Sequence, residues 1–524
     1  AFAQAAGDIK GEVISVGIGG VKGSGGLYRP GAWVPVRVQL ENRSGKTIVG
    51  RLAVQQPDLD GDKATSVGSK FILAPSAEPR DFWLYYWPRP DDEGQGVSQV
   101  MVLDESGSQV LQTIGGPSAK AAGVRIDPSD GNKRSSRWVV VLGPSAAGWE
   151  NFLDALGGTE AVRFSVLPNA NDVPDNVLGL QGVDAIVWDA DWVKPSDVSP
   201  DFQMKAILEW VRAGGHLIIT AGTKGEEFLK AGRLHDAMPM TFTGTREVDL
   251  MDLRGLSWVG DGFVGKSGKV VQLTGTLREG PGGTPGARPV SGCALGAFAE
   301  HPLAVTGAYG AGAVTVLTVD AASKEMLQGL QKETAIKFWS QVAGWQAGDP
   351  MTADHKQEEQ KAEEAAGAAG ALAPKRLNLD PAQVWLGRAG QNIATLIDVT
   401  EVTQVRLLVA VLFLALYWLA AGPIGYVVLR AYNVLHWSWW VFGGAVVVAS
   451  GLAATVVTLL HLTNYDLRHK TVVIGTVNSK GVTAIGYYGV FAPASGALTV
   501  EQPAREGADT GLNFLAPLCE PTEG

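Results

Sequence analysis

Two stretches near the carboxyl end carry no formal charge over lengths that few folds can absorb. Leu407 to Leu429 reads LLVAVLFLALYWLAAGPIGYVVL, and Ser438 to Leu462 reads SWWVFGGAVVVASGLAATVVTLLHL. Each exceeds the roughly 20 residues that carry a helix across about 30 Å of hydrocarbon. The connection, Arg430 to Trp437, is too short for anything but an antiparallel helical hairpin. The first expected partner is therefore the lipid bilayer, with both large flanking regions on one side of it. Trp437, Trp439 and Trp440 stand where the second span enters the interface, which aromatic side chains favour. Gly422-Pro423 predicts a kink in the first span, because proline removes a backbone donor.

The side is less directly written. The turn carries Arg430, whereas Arg406, Arg468 and Lys470 flank the opposite ends, a weak bias toward a cytoplasmic bulk. Against it stand a β-rich amino-terminal region and the opening AFAQAAG, whose A-x-A pattern at Ala1–Ala3 reads as the tail of a signal peptide. The expectation is a membrane protein with two spans and an extracytoplasmic bulk.

With 524 residues the chain exceeds a single core and predicts several domains. A net charge of −10 supplies no phosphate-neutralising surface, so nucleic acid is not an expected partner. Cys293 and Cys519 are the only cysteines, which excludes a disulfide framework and a cysteine-based zinc site.

Residues 1–132 read as an antiparallel β-sandwich. WVPVRVQLEN (33–42) alternates Val34, Val36, Val38 and Leu40 with polar residues, and FWLYYW (82–87) and VSQVMVLD (97–104) follow as further strands. Residues 133–346 change rhythm. WVVVLG (138–143), RFSVLP (163–168), VDAIVWDAD (183–191), HLIITAG (216–222) and AVTVLTVDAA (313–322) are apolar strands. They alternate with helical stretches, GWENFLDALGG and MKAILEWVRAGG, so a doubly wound, mostly parallel sheet is predicted. Residues 232–312 form a glycine-rich insertion of no clear pattern. Residues 347–404 contain a charged, alanine-rich linker (349–376) and an amphipathic juxtamembrane helix (381–399). The spans occupy 405–464. Residues 465–524 return to β alternation with too few strands for a closed domain.

The candidate chemistry is sparse. Asp189 and Asp191 follow a strand at its carboxyl end, where open α/β sheets bind ligands such as a metal or a sugar, although carboxylates there also cap the next helix. GGHLIITAGT (214–223) runs a buried strand into a glycine turn, the usual stand of a nucleophile, yet Thr220, Ala221, Gly222 and Thr223 fill it. His216 begins the same strand, roughly 13 Å from Thr220, too far to act as its base. His235 and His301 lie in loops with nothing to place them nearby. Asp58, Asp60 and Asp62 in PDLDGDKA have calcium-loop spacing, but Ser69 stands where the loop needs its last carboxylate, and the same letters make a hairpin turn. The runs GIGG and GSGG (17–26) lack the lysine-serine of a phosphate loop.

VDAIVWDAD, EWVRAGGHLIITAGT and YGAGAVTVLTVD (309–320) together resemble the class I glutamine amidotransferase fold. The resemblance implies a nucleophilic cysteine at about Gly222 and a His-Glu pair near the last strand. Neither is present, and Val319-Asp320-Ala321 stands at the second place, so amidotransferase chemistry is excluded. With YRPGAWVPVRVQLEN, LYWLAAGPIGYVVLR and GYYGVFAP added, the chain resembles a group of uncharacterised bacterial membrane proteins carrying such an inactive domain outside the membrane. It resembles, more distantly, auxiliary membrane components of gliding-motility transport systems.

The expected fold class is thus multidomain α/β plus β. It comprises a β-sandwich, a flavodoxin- or amidotransferase-like α/β domain, a transmembrane helical hairpin and a small C-terminal β region. The expected function is non-catalytic, binding or scaffolding another envelope or membrane protein, with no cofactor. The alternatives are a membrane-bound hydrolase with a non-cysteine site in the α/β domain, and an auxiliary subunit of a transport complex.

Overall fold

A computed structural model describes residues 9–20, 25–29, 32–57, 63–88, 97, 99–117, 123–126, 137–145, 162–199, 201–222, 232–256, 259, 268–279, 286–320, 332–344, 411–461, 466–475 and 482–491. It is a mixed α/β structure with several antiparallel sheets and two apolar helices toward the carboxyl end. The signal-peptide pattern, the helix in GWENFLDALGG, the linker and the juxtamembrane helix lie outside the described residues.

The amino-terminal strands are β1 (Ile9–Val16), β2 (Leu27–Tyr28), β3 (Val34–Asn42), β4 (Ile48–Pro57), β5 (Lys63–Leu73), β6 (Ser76–Tyr86), β7 (Gln99–Leu103), β8 (Val110–Gly115) and β9 (Val124–Arg125). They form a three-stranded sheet, β1-β3-β6, and a four-stranded sheet, β5-β4-β7-β8, both antiparallel, with β2 and β9 as a short parallel pair. The period-two pattern of β3 sends Val34, Val36, Val38 and Leu40 inward, where they share one cluster with Leu52 and Val54 of β4 and Val100 and Val102 of β7.

The next strands are β10 (Arg137–Leu142), β11 (Val162–Leu167), β12 (Ala185–Asp189) and β13 (His216–Thr220), with α1 (Gln203–Arg212) between the last two. Then come β14 (Met240–Asp249), β15 (Lys269–Leu277), β16 (Arg288–Pro289), β17 (Ala304–Tyr309), β18 (Gly312–Leu317) and α2 (Lys332–Ala343). Seven of these make one sheet in the order β11-β10-β12-β13-β18-β17-β16. The five strands from β11 to β18 are parallel, and β17 and β16 extend the sheet antiparallel.

Side-chain alternation divides this sheet between two cores. Ile186, Trp188, Leu217 and Ile219 pack on α1 through Ile207, Leu208 and Val211. Val187, Ile218 and Leu317 face the opposite way, with Phe338, Trp339 and Val342 of α2. The helix α1 ends as its glycines dictate: Gly214 has φ +124°, and the Gly215 N–H donates to the Trp210 carbonyl at 3.0 Å. The glycine-rich insertion proved more ordered than its letters suggest. It supplies β16, β17 and an antiparallel ribbon of β14 and β15, tied to the sheet by Leu273 N–H donating to the Thr318 carbonyl at 2.7 Å.

The amino-terminal strands and the parallel sheet fall within one compact unit. Charged and polar contacts join the chain after β11 to β3, to β6 and to Arg29 just after β2. The Arg37 guanidinium donates to Asp81 and, at 2.6 Å, to Asp172; the Tyr85 hydroxyl donates to Asp175 at 2.6 Å; and Arg29 donates to Asp184 at 2.7 Å. Burial, then the neighbouring Asp175 carboxylate, pushes the Tyr85 hydroxyl well above its usual titration range, and burial also raises Asp175. For Arg37, burial works against the charge, and the hydrogen bonds to Asp172 and Asp81 outweigh it, so its pKa is raised.

A second unit holds α3 (Val411–Ala431), α4 (Ser438–His461), β19 (Asp466–Gly475) and β20 (Val482–Phe491). Both helices are long and apolar enough to cross a membrane, and neither buries its apolar window within the structure. Where the sequence predicts a kink, the helix passes through a π-turn over Ala420–Ile424 that contains Pro423. The strands β19 and β20 pair only with each other among the described residues.

Candidate functional site

The parallel strands end at one crest. In register, Asp189 of β12 stands beside Thr220 of β13, and Thr220 beside Leu317 of β18. Alternation puts Asp189 and Thr220 on the face that also carries Val187 and Ile218. Two glycines complete the crest, the first in a tight approach and the second where a side chain would force its neighbours apart. A Cβ at Gly143 would stand 3.1 Å from Asp189 Cβ. One at Gly222 would stand 2.5 Å from Asp191 Oδ2 and 2.6 Å from Asp320 Cβ. Gly222 is thus a point of close approach between two acidic turns, which requires a missing side chain and not an unusual φ.

Asp189 is buried, at 6% exposure. Its Oδ1 accepts from the Asp191 N–H at 3.0 Å and the Trp192 N–H at 3.2 Å, so this carboxylate caps the turn that follows its own strand. The Asp191 carboxylate lies against Gly222. Of the residues singled out in the sequence, the crest therefore gathers Asp189, Asp191, Thr220 and Gly222. Thr223 lies outside the described residues, as do Asp58, Asp60 and Asp62. Asp320 and Gly143 are the additions. Asp320 was legible only as the place where a His-Glu pair is missing, although its position after a parallel strand matches that of Asp189.

The chemistry open to this crest is limited. The Thr220 hydroxyl is buried, at 1% exposure, and has no hydrogen-bond partner among the described residues. A hydroxyl without a hydrogen-bonded base is not an activated nucleophile. His216 sits at the other end of β13, hydrogen-bonded through Nε2 to Thr315 Oγ1 at 2.8 Å. Burial lowers its pKa to about 4, despite a hydrogen bond involving the Ala343 backbone that raises it, so the ring is neutral near pH 7. His235 lies in the short helix Gly232–Ala237 beside Arg278, and the His301 carbonyl accepts from Gln272 Nε2 at 2.8 Å. Among the described residues no three His, Cys, Asp or Glu side chains converge as a metal site.

No protein-family model matches the chain, and no curated protein matches it. Among solved structures, a cold-adapted β-galactosidase from Rahnella sp. R3 aligns at 15% identity over 40% of this chain and 31% of that one, with a TM-score of 0.25. The alkylpurine DNA glycosylase AlkC of Pseudomonas fluorescens, bound to DNA containing an abasic site analogue, aligns at 15% identity over 22% of this chain and 32% of its own, with a TM-score of 0.15. A calcium-binding mutant of Bacteroides uniformis β-glucuronidase 2 aligns at 11% identity over 42% and 24%, with a TM-score of 0.14. Each match spans about a third or less of the other protein's length. Likenesses this low carry no argument about fold or activity.

Proposed function

We propose that this chain is a non-catalytic, membrane-anchored protein of the cell envelope that binds or scaffolds another envelope or membrane protein. One observation carries the reading: the turn where an amidotransferase-like domain holds its nucleophile is filled by Gly222, packed against Asp191 and Asp320 too closely for any side chain. The parallel strands, numbered along the chain, run 2-1-3-4-5, the order of flavodoxin-like sheets, with helices on both faces. That order supports a degenerate α/β domain of this kind. The common core of the two amino-terminal sheets supports a β-sandwich beside it. The exposed apolar α3 and α4 support a two-span anchor with the lipid bilayer as partner. The β-rich amino-terminal region and the A-x-A pattern at Ala1–Ala3 favour a bulk outside the cytoplasm.

The rival reading, a membrane-bound hydrolase, draws on the buried, unpartnered Thr220 hydroxyl beside Asp189. Complementation of a strain lacking the chain separates the two. Thr220→Val and Thr223→Ala, each expressed at normal level, should restore the phenotype fully under the binding reading. Loss of complementation by a stably folded Thr220→Val would sink it in favour of the hydrolase.

A further inference from the structure

The turn between α3 and α4 is built as a tight corner. Asn433 adopts a left-handed conformation, φ 57°, the Asn433 N–H donates to the Arg430 carbonyl, and the Val434 N–H donates to the Leu429 carbonyl at 3.1 Å, closing α3. The Trp437 N–H then donates to the Val434 carbonyl at 3.0 Å, and α4 starts at Ser438. This corner brings Arg430, in the last turn of α3, to the same end of the hairpin as Trp439 and Trp440, in the first turn of α4.

Everything large on the corner points outward. Tyr432 is 76% exposed, Trp439 82% and Trp440 78%, with Arg430 and His436 exposed among them. His436 and Trp437 meet edge to face at 6.2 Å. No Asp or Glu occurs between Glu401 and Asp466, so the helical pair and its corner carry cationic and hydrogen-bond-donating groups and no acid of their own. Indole and phenol rings settle at the headgroup layer, while a guanidinium pairs with phosphate oxygens through parallel N–H bonds. An acidic protein surface would satisfy the charge alone. The ring of amphipathic aromatics around it fits a phospholipid headgroup layer.

We infer that this corner is a binding surface for anionic phospholipid, with Arg430 holding the headgroup phosphate, His436 donating a second hydrogen bond, and Tyr432, Trp437, Trp439 and Trp440 seated in the interface around it. The inference rests on the two-span anchor of the proposed function and adds to it a headgroup preference.

The test uses the full chain reconstituted in phosphatidylcholine vesicles with trace spin-labelled phosphatidylglycerol or spin-labelled phosphatidylcholine. Electron paramagnetic resonance reads the fraction of each label immobilised by the protein. The unmodified chain should hold phosphatidylglycerol several-fold more strongly than phosphatidylcholine, with the preference weakening as salt rises. The Arg430→Gln/His436→Gln double variant should lose the preference, Arg430→Lys should keep most of it, and Arg468→Gln/Lys470→Gln should leave it intact. Equal immobilisation of both labels by the unmodified chain, or a preference that survives the Arg430/His436 double variant, overturns the inference while leaving the anchor standing. A chain that fails to float with the vesicles overturns the anchor and this inference together.

Discussion

Leucine and valine are treated in opposite ways by the two units of this chain. In β13, Leu217, Ile218 and Ile219 are wholly inaccessible to solvent, and so is Val187 of β12. In the helical pair, Leu414 is 67% exposed and Val447 72%. Burial of an aliphatic side chain is worth about 1.5–3 kcal/mol, so leaving a whole helix of them bare in water is untenable. The first unit supplies its own nonpolar surroundings by layering helices on a sheet. Among its described residues the second supplies none, and its two helices are long and apolar enough to cross a membrane.

The largest effect that would break this contrast is solubility. The full chain should require detergent, whereas a chain ending at residue 345 should stay in the aqueous supernatant after ultracentrifugation. Full-length protein soluble without detergent would refute the spans. Next is truncation in the core: Trp339→Ala on α2, a fully buried ring, should cost about 3–5 kcal/mol in denaturant unfolding of the first unit. The matching change in the second unit, Val447→Ala, should hardly move any unfolding transition, because its side chain contributes to no internal core.

Acid should act on the first unit through His216. Its folded pKa of about 4 lies below the ordinary 6.5, so between these values the unfolded chain binds the extra proton. Stability is therefore full above about pH 6.5 and declines as pH falls toward 4, by about 2 kcal/mol once partial exposure of the ring is allowed for. His216→Gln should flatten that part of the pH profile; a slope unchanged in the variant would assign it to other groups. At the crest, Gly222→Ala should cost about 1–3 kcal/mol, since the new methyl meets Asp320 Cβ at 2.6 Å. An unshifted melting temperature would mean the two acidic turns separate freely. The smallest loss expected within the first unit concerns the contact between β6 and the chain after β11. Tyr85→Phe leaves Asp175 without its side-chain donor and should cost about 1 kcal/mol in chemical denaturation.

Much of the framework was legible because it repeats at short range. Period-two alternation marked β3, and unbroken apolar runs marked β10, β12 and β13 to within a residue or two. The helix α1 was marked by Ile207, Leu208 and Val211 and its terminal glycines. The insertion was not legible. Its strands β14, β15 and β17 mix threonine and glycine with apolar residues, β16 is only Arg288–Pro289, and they become strands by pairing with each other and with β18. At the crest, Asp189 read both as a ligand candidate and as a cap, and its Oδ1 accepts from two N–H groups of the turn that follows its own strand.

The sequence by itself determined what depends on neighbours along the chain: the two uncharged spans, the apolar strands, and the absence of a cysteine at the glycine turn. Tertiary structure alone decided what depends on residues far apart in it. Asp172 and Asp184 receive Arg37 and Arg29 across separations of 135 and 155 residues, and Asp320 meets Asp191 at Gly222. No periodicity records such pairs. They exist only once the strands have ordered as β11-β10-β12-β13-β18 and carried their ends to one edge of the sheet. Gly222 shows the division most sharply: the sequence showed that no cysteine stands at the glycine turn, and only the folded crest revealed that Asp191 and Asp320 occupy the space a side chain would need.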